Sequence, residues 1–410
     1  MAPLNQLTSQ APGEGLASLR GITVLDLSTS VAGPYGTQLL ADLGAEVIKV
    51  EKRDGGDDTR AWGPPFLDGE SLWFLSVNRN KRSVAIDLNQ PEGRALLHRL
   101  VPTVDVVVLN VAERIQKKLG LDYATLAALN PSLIHASLTG FGLHGPRADL
   151  PCYDLIAEGH SSVMDLTGEA DSPPQKVGTP AADLLAGHDL ALAVLAALHE
   201  RQRSGAGKRI DVSMLASMVR FMSPRIVPYL GSGQSMTRSG GRDSVIAIYQ
   251  VFDTADHPIT LGLGNDAIWQ RFWAAVERPD YGARAEFRSN ALRLNARERI
   301  VVVIADLLAA HPRAHWLALF EQHRIPSGPI NSLAQLAEDP LLRDEGLLFS
   351  VQGPAGPLPQ VGLGIRFDGS SAVYRSAPPR LGEHTESVLH ARLGLPESAL
   401  ERLRQQGVIG

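Results

Sequence analysis

The feature that most constrains this chain is a regular alternation of segment types over residues 21–213. Short runs that are largely apolar, "GITVLDLS", "AEVIKVEK", "VDVVVLN" and "SLIHASLTG", take turns with stretches of helical spacing, "YGTQLLADLGA", "PEGRALLHRL" and "DYATLAALN", and "KRIDVSM" further on reads as another strand. In the first helical stretch Leu39, Leu40 and Leu43 share one face, and Pro34 is well placed to open the helix. A strand that is apolar at nearly every position is buried on both faces, as in a parallel sheet covered by helices on either side. The pattern predicts an α/β fold, and in such sheets ligands bind beyond the C-terminal ends of the strands.

After residue 178 the run "TPAADLLAGHDLALAVLAALHERQRSG" predicts one long helix. Thr179 reads as its N-cap, Pro180 as the first helical position and the Gly after Ser204 as a stop signal. The Gly- and Ser-rich segment 230–244 breaks the alternation and reads as a domain boundary. Beyond it, "HPITLGLG" and three helical stretches predict a smaller α+β domain. The expected division is a flexible lead-in over 1–20, a large domain over 21–225, a small domain over 226–335 and a return to the large domain over 336–410.

Hydrophobic content of 44% is enough for a well-cored globular chain, and a net charge of -5 gives no global attraction to nucleic acid or to an anionic membrane. The single cysteine, Cys152, excludes an intramolecular disulfide framework, fits a reducing compartment and has no recognisable partner base. No secretory pattern opens the chain, and apolar segments such as "LALAVLAALHE" are shorter than the ~20 residues of a membrane span. A cytoplasmic protein is expected. No P-loop, G-x-S-x-G elbow or H-E-x-x-H occurs, and His311 and His315 flank Pro312 with no third metal ligand evident.

The turn "STSVAGPYG" carries only Gly33 and Gly36, so it lacks the dinucleotide fingerprint and disfavours a nicotinamide dehydrogenase. Its free N–H groups can still hold an anion. Basic residues gather near strand ends: Lys52 and Arg53, then Arg79, Lys81 and Arg82, then Lys117 and Lys118. They suit a polyanion such as a nucleotide with an extra phosphate, or are ordinary solvated faces. Asp165, Glu169 and Asp171 crowd the stretch "DLTGEADSPPQKVG", whose Gly, Asp, Ser and Pro content spells a loop.

Taken together, "DLSTSVAGPYGTQLLADLGAEVIKVEK", "NRNKRSVAIDL", "LTGFGLHGP", "YDLIAEGHSSVMDLTGEADSPPQKVG", "ADLLAG", "GAGKRIDVSM" and "APPRLGEHT" resemble the class III coenzyme A transferases. That family includes the formyl-CoA and carnitine-CoA transferases, and the likeness runs from about residue 20 to 405. It implies a Rossmann-like large domain built from both chain ends, a small domain and a homodimer of interlocked rings. It places the nucleophile on Asp171, which as an ionised carboxylate attacks a thioester without a general base, giving a mixed anhydride and then an aspartyl-CoA thioester. Pro173 and Pro174 would stiffen its loop, and Gly240, Gly241 and Arg242 fall where the family has a mobile glycine loop. Family contacts to CoA carry over onto Val31, Ala32, Lys52, Ile86, Asn89, Asn110, Val111 and Lys118, with Thr139, Gly140, Phe141 and Gly142 along the pantetheine path.

The implied reaction moves CoA from a donor, succinyl-CoA, to a short carboxylic acid. Acceptors of the dicarboxylate type are glutarate, itaconate, citramalate or mesaconate, and a sulfinate such as 3-sulfinopropionate is a further one. Coenzyme A is a substrate, and neither a prosthetic group nor a metal is implied. Val31, where formyl-CoA transferases have a Gln, and "VAERI" in place of Arg-Pro-Gly both argue against oxalate, which stays an alternative acceptor. An α-methylacyl-CoA racemase of the same fold is the other alternative, but its His would fall on Tyr153 and its Asp on Asp183. A non-catalytic CoA-binding protein is disfavoured by the intact Asp171. Arg238 and Arg242 are candidate anchors for a distal anionic group.

Overall fold

The computed structural model describes residues 3–370 and 373–410. The chain divides into two compact units, the first formed by 1–161, 177–224 and 337–410 and the second by 162–176 and 225–336. The expected large domain ran unbroken through 21–225, yet 162–176 goes with the second unit. The reason is specific pairing: the Gly240 amide donates to the Gly168 carbonyl at 2.9 Å, and Arg238 donates to the Asp165 carbonyl at 2.8 Å.

In the first unit a wholly parallel sheet of six strands is formed by β1 (Thr23–Asp26), β2 (Glu46–Glu51), β3 (Lys81–Ala85), β4 (Val106–Leu109), β5 (Ile134–Thr139) and β6 (Lys208–Ser213). Its order is β3-β2-β1-β4-β5-β6, a doubly wound sheet that reverses direction between β1 and β4. Every residue of β1, β4 and β5 is buried, which is why these runs show no alternation of buried and exposed positions. The sheet shares one core with the helix Pro91–Leu100 and with the C-terminal helices Thr385–Leu393 and Glu397–Gln405, so both ends of the chain build this unit.

Three helices matter for the site: α1 (Ala32–Asp42), α2 (Asp154–His160) and α3 (Ala181–Ser204). The first and third lie backbone against backbone. A Cβ on Gly36 would come within 2.8 Å of the Gly187 carbonyl, and one on Gly187 within 2.7 Å of the Ala32 carbonyl, so no larger residue fits. The stop signal falls as expected, with Gly205 left-handed at φ 67°. The start differs. The helix begins at Ala181 with Pro180 at the cap position, and the orphan amides of Ala182 and Asp183 are taken by Asp154 Oδ1 at 2.8 and 3.3 Å. A carboxylate from another helix does the work expected of Thr179. At 24 residues this helix is long and apolar enough to cross a bilayer, but half of its apolar stretch is buried within the unit.

The lead-in is also more ordered than expected. Thr8–Gln10 is a strand running parallel to Leu348–Gln352, which pairs in turn with Pro357–Val361, and Leu16 and Leu19 are buried. "TSQ" has no alternating pattern, and a partner some 340 residues away decides its conformation. In the second unit an antiparallel sheet of β7 (Tyr249–Phe252), β8 (Ile259–Gly262) and β9 (Ser327–Pro329) packs with helices around Trp269, Phe272, Trp273, Phe287, Trp316 and Phe320.

A buried ionic network ties the C-terminal ends of β1 and β2 to the first residue of β3. Lys49 and Lys81 have fully buried side chains; Lys49 Nζ is 2.8 Å from Asp57 Oδ2 and Lys81 Nζ 3.1 Å from Asp26 Oδ2. Lys49 also donates to the Ser28 carbonyl at 2.9 Å, and Lys81 to the Pro34 carbonyl at 2.7 Å. Burial pushes the Asp26 carboxyl up, but Lys81, Lys49 and the hydroxyls of Ser28 and Thr37 oppose it and win, leaving it at about 2. Lys81 is pushed down to about 8, first by burial.

These positions correct the reading of the cations near the strand ends. Lys81 is a core residue, and Arg79 is buried against Asp42 at 2.9 Å; neither is free for a polyanion. Arg82 is bound to Glu46 at 2.9 Å. Lys49→Met should therefore leave Asp57 charged and unpaired in the core and lower the unfolding free energy by about 3–5 kcal/mol, read by urea denaturation. A loss below about 1 kcal/mol would show that the pair contributes no more than a surface one.

Candidate functional site

The loops that leave β1, β4 and β5 enclose a cavity of about 510 Å³ in the first unit, beyond the C-terminal strand ends where the sheet reverses. Asn110, just past β4, clamps this crevice: its Oδ1 accepts from the Thr29 amide at 3.1 Å and its Nδ2 donates to the Thr29 carbonyl at 2.8 Å. The next amide, Ser30, donates to Asp57 Oδ1 at 3.0 Å, which ties the cavity wall to the buried network.

Of the sequence-derived CoA contacts, Ala32, Asn110, Thr139 and Gly140 line this cavity. Lys52 stands at its rim through Asp58, a lining residue that its Nζ reaches at 2.6 Å. Val31 lies under the surface, and Val111 packs on the core while its carbonyl accepts from Gln116 at 2.8 Å. Phe141 stands edge-on to His160, and Gly142 is left-handed at φ 87°. Ile86 and Asn89 follow β3 and are not among the lining residues; Ile86 is buried against Ile409 and Asn89 is exposed. Lys118 is exposed and does not line the cavity either. One turn earlier on the same helix, Arg114 does, paired with Asp149 at 3.3 Å.

Asp183, which reads from the sequence as a site-shaping or helix-start acid, lines the cavity, as does Tyr153; Asp149, Leu150, Pro151 and Cys152 escaped the sequence reading as cavity formers. The signal was present in Asp154 and Asp183, two acids that a helix start alone does not require. Burial, then the neighbouring Asp154, pushes the Asp183 carboxyl up to about 7. Burial, then Asp183, pushes the Cys152 thiol up to about 11. Cys152 is therefore a protonated wall residue and a poor nucleophile at neutral pH.

In the second unit, Asp171 is exposed at the third position of a turn closed by the Ser172 amide donating to the Glu169 carbonyl at 3.0 Å, with the Ser172 hydroxyl reinforcing it at 2.9 Å. The exit is held by the Gln175 amide on the Met164 carbonyl at 3.2 Å. Against this turn lies the glycine loop. Gly240 is left-handed at φ 59°, and a Cβ there would stand 2.2 Å from Glu169 Oε2. The left-handed backbone there favours glycine. Asp165, in the short helix Val163–Leu166, receives Arg238 on its carbonyl and on its carboxylate at 3.2 Å. The arrangement presents an exposed carboxylate on a braced turn. Among the described residues no group of three or more His, Cys, Asp or Glu side chains is placed to hold a metal ion.

The model of CoA-transferase family III matches residues 19–385. The chain is 36% identical to the succinyl-CoA:glutarate CoA-transferase of Mus musculus, over 98% of this chain and 92% of that protein. It is 39% identical to the succinate–glutarate CoA-transferase of Agrobacterium fabrum, over 90% and 94%. Among solved structures it is similar to a CAIB/BAIF family protein from Brucella suis, with a TM-score of 0.80, 36% identity and coverage of 91% of this chain and 98% of that one. With the match running along almost the whole chain, the protein belongs to CoA-transferase family III and is an enzyme that transfers CoA.

Proposed function

We propose that the enzyme moves CoA from succinyl-CoA to a short dicarboxylate, with Asp171 as the covalent carrier and the cavity of the first unit as the CoA site. Glutarate is the first acceptor to test, since two relatives are named for it; 3-sulfinopropionate belongs in the same panel. The observation that carries the reading is the placement of Asp171: exposed, at the corner of a closed turn, against a glycine loop in a chain of this family.

The chemistry follows from a carboxylate nucleophile. An Asp171 oxygen attacks the thioester carbonyl, the C–S bond breaks, and CoA leaves as thiolate from a mixed succinyl-aspartyl anhydride. The thiolate attacks the aspartyl carbonyl of that anhydride and expels succinate, leaving an aspartyl-CoA thioester. The acceptor carboxylate then attacks this thioester and releases thiolate, which attacks the acceptor's acyl carbonyl and frees Asp171. Every nucleophile and leaving group is an anion, so no proton is transferred and no general base is needed. The anhydride is hydrolysable, which is the use of a loop that covers it. The thiolate of CoA meets a cavity whose own acid, Asp183, is held largely neutral below pH 7.

Incubation with succinyl-CoA followed by hydroxylamine trapping should place the label on Asp171, read by mass spectrometry. Asp171→Ala should keep CoA binding and lose transfer by at least about 10³-fold. Turnover retained in that variant, or racemisation of a 2-methylacyl-CoA without any adduct, overturns the proposal. Asp183 makes a separate prediction. Its pKa is raised, so it gains a negative charge as pH rises through about 7, and CoA affinity should then fall, by about three- to tenfold between pH 6 and 8. Asp183→Asn should flatten that profile in a binding titration; an unchanged slope would move CoA out of this cavity. The homodimer of interlocked chains is part of the same proposal, and light scattering should return twice the chain mass.

A further inference from the structure

Within the second unit a cavity of about 490 Å³ lies between residues 240–243 and the β7–β8–β9 sheet. The loop is zipped onto β7: Val251 N donates to Gly241 O at 3.0 Å, Asp243 N to Tyr249 O at 2.9 Å, and Arg242 bridges Gln250. One wall of the cavity is thus a backbone-paired segment, and Gly240, Arg242, Tyr249 and Gln250 are among its lining residues. This wall also meets the Asp171 turn, because Gly240 donates to Gly168 and packs on Glu169, two residues before Asp171.

Of the lining residues Arg242 carries a positive charge and Asp243 a negative one. Arg242 is 42% exposed, and its acid partner is Glu298 at 3.8 Å, itself 83% exposed, a long and screened pair. Arg297 stands behind it, donating from Nη1 to the Asp243 carbonyl at 2.7 Å and from Nη2 to Gln250 Oε1 at 3.3 Å, with its Nε buried and unpartnered. Burial, and next the charge of Arg242, push its pKa down, as expected for two guanidiniums that repel. The acid within the wall, Asp243, already accepts from the amides of Val245 and Ile246 at 2.7 and 2.8 Å and from Arg225 at 3.3 Å. Arg238, the other cation of this loop, is engaged by Asp165.

We propose that this cavity takes the distal carboxylate of the dicarboxylate substrate, with Arg242 as its ion-pair partner and Arg297 bracing the wall behind. The forked guanidinium suits a carboxylate bidentately, and an anion there relieves the repulsion between the two arginines. The assignment rests on the reading of Asp171 as the carrier, since it is the carboxylate remote from the reacting one that Arg242 would hold.

The test is calorimetric titration of glutarate and of valerate, its analogue with a methyl group for the second carboxylate, into the enzyme in the presence of CoA. Arg242→Gln should weaken glutarate by about 10- to 100-fold and valerate by less than about twofold. Arg242→Lys should fall between, because an ammonium keeps the charge without the fork. Equal weakening of both acids, an unchanged glutarate affinity, or no glutarate binding to the unsubstituted enzyme overturns the proposal. Trapping on Asp171 is scored in parallel. Label on Asp171 with glutarate affinity indifferent to Arg242 sinks the anion site alone, whereas Arg242-dependent glutarate binding without label sinks the carrier reading alone.

Discussion

Two lysines without solvent hold the ligand-facing end of the parallel sheet together. A buried ammonium is tolerable only when it is paired and its remaining protons are hydrogen-bonded. Lys49 meets Asp57 and the Ser28 carbonyl; Lys81 meets Asp26, Asn78 and the Pro34 carbonyl in the first turns of α1. These contacts join the ends of three strands to the start of the helix and to the loop after β2. Asp57 passes the constraint on to the Ser30 amide in the cavity wall. The position of the cavity is therefore set by charges that themselves never touch solvent.

Each unit carries a different feature that the proposed transfer would use. The first supplies a crevice clamped by Asn110 and edged by Asp183, whose own helix start is capped from α2 by Asp154. The second supplies an exposed carboxylate on a closed turn, a glycine loop pressed against it and a cavity along the same loop. A transfer that moves no proton does not need a tuned acid-base pair at the reacting carbonyl. The proposed transfer needs a nucleophile on a backbone that keeps it in place, and the Asp171 turn is held by the amides of Ser172 and Gln175.

Much of the frame was legible in the sequence, and the residues show why. Four of the runs that were singled out are β1, β2, β4 and β5, in which burial on both faces leaves little room for alternation; β6 is a more exposed edge strand, and Gly205 ends α3 because its left-handed backbone needs no Cβ. Asp171 stood out by its motif, and Ala32, Asn110, Thr139 and Gly140 came together at one cavity. What failed were assignments in which a charge was judged by its neighbours along the chain. Arg79 and Lys81 read as surface cations near a strand end, yet acids on other elements bury them. Lys118, a CoA contact implied by the family resemblance, is exposed and outside the lining of this cavity, which Arg114 of the same helix joins.

By itself the sequence determined the kind of sheet, the places where helices stop and the family to which the chain belongs, because each depends on local periodicity, a backbone conformation or a set of short motifs. Tertiary structure alone decided which charges are buried, that 162–176 folds with 225–336, that "TSQ" is a strand, and that Asp154 rather than Thr179 caps α3. Those outcomes depend on partners far away in the chain. A hydrogen bond or ion pair is as strong between residues 300 apart as between neighbours, but only folding brings the two together.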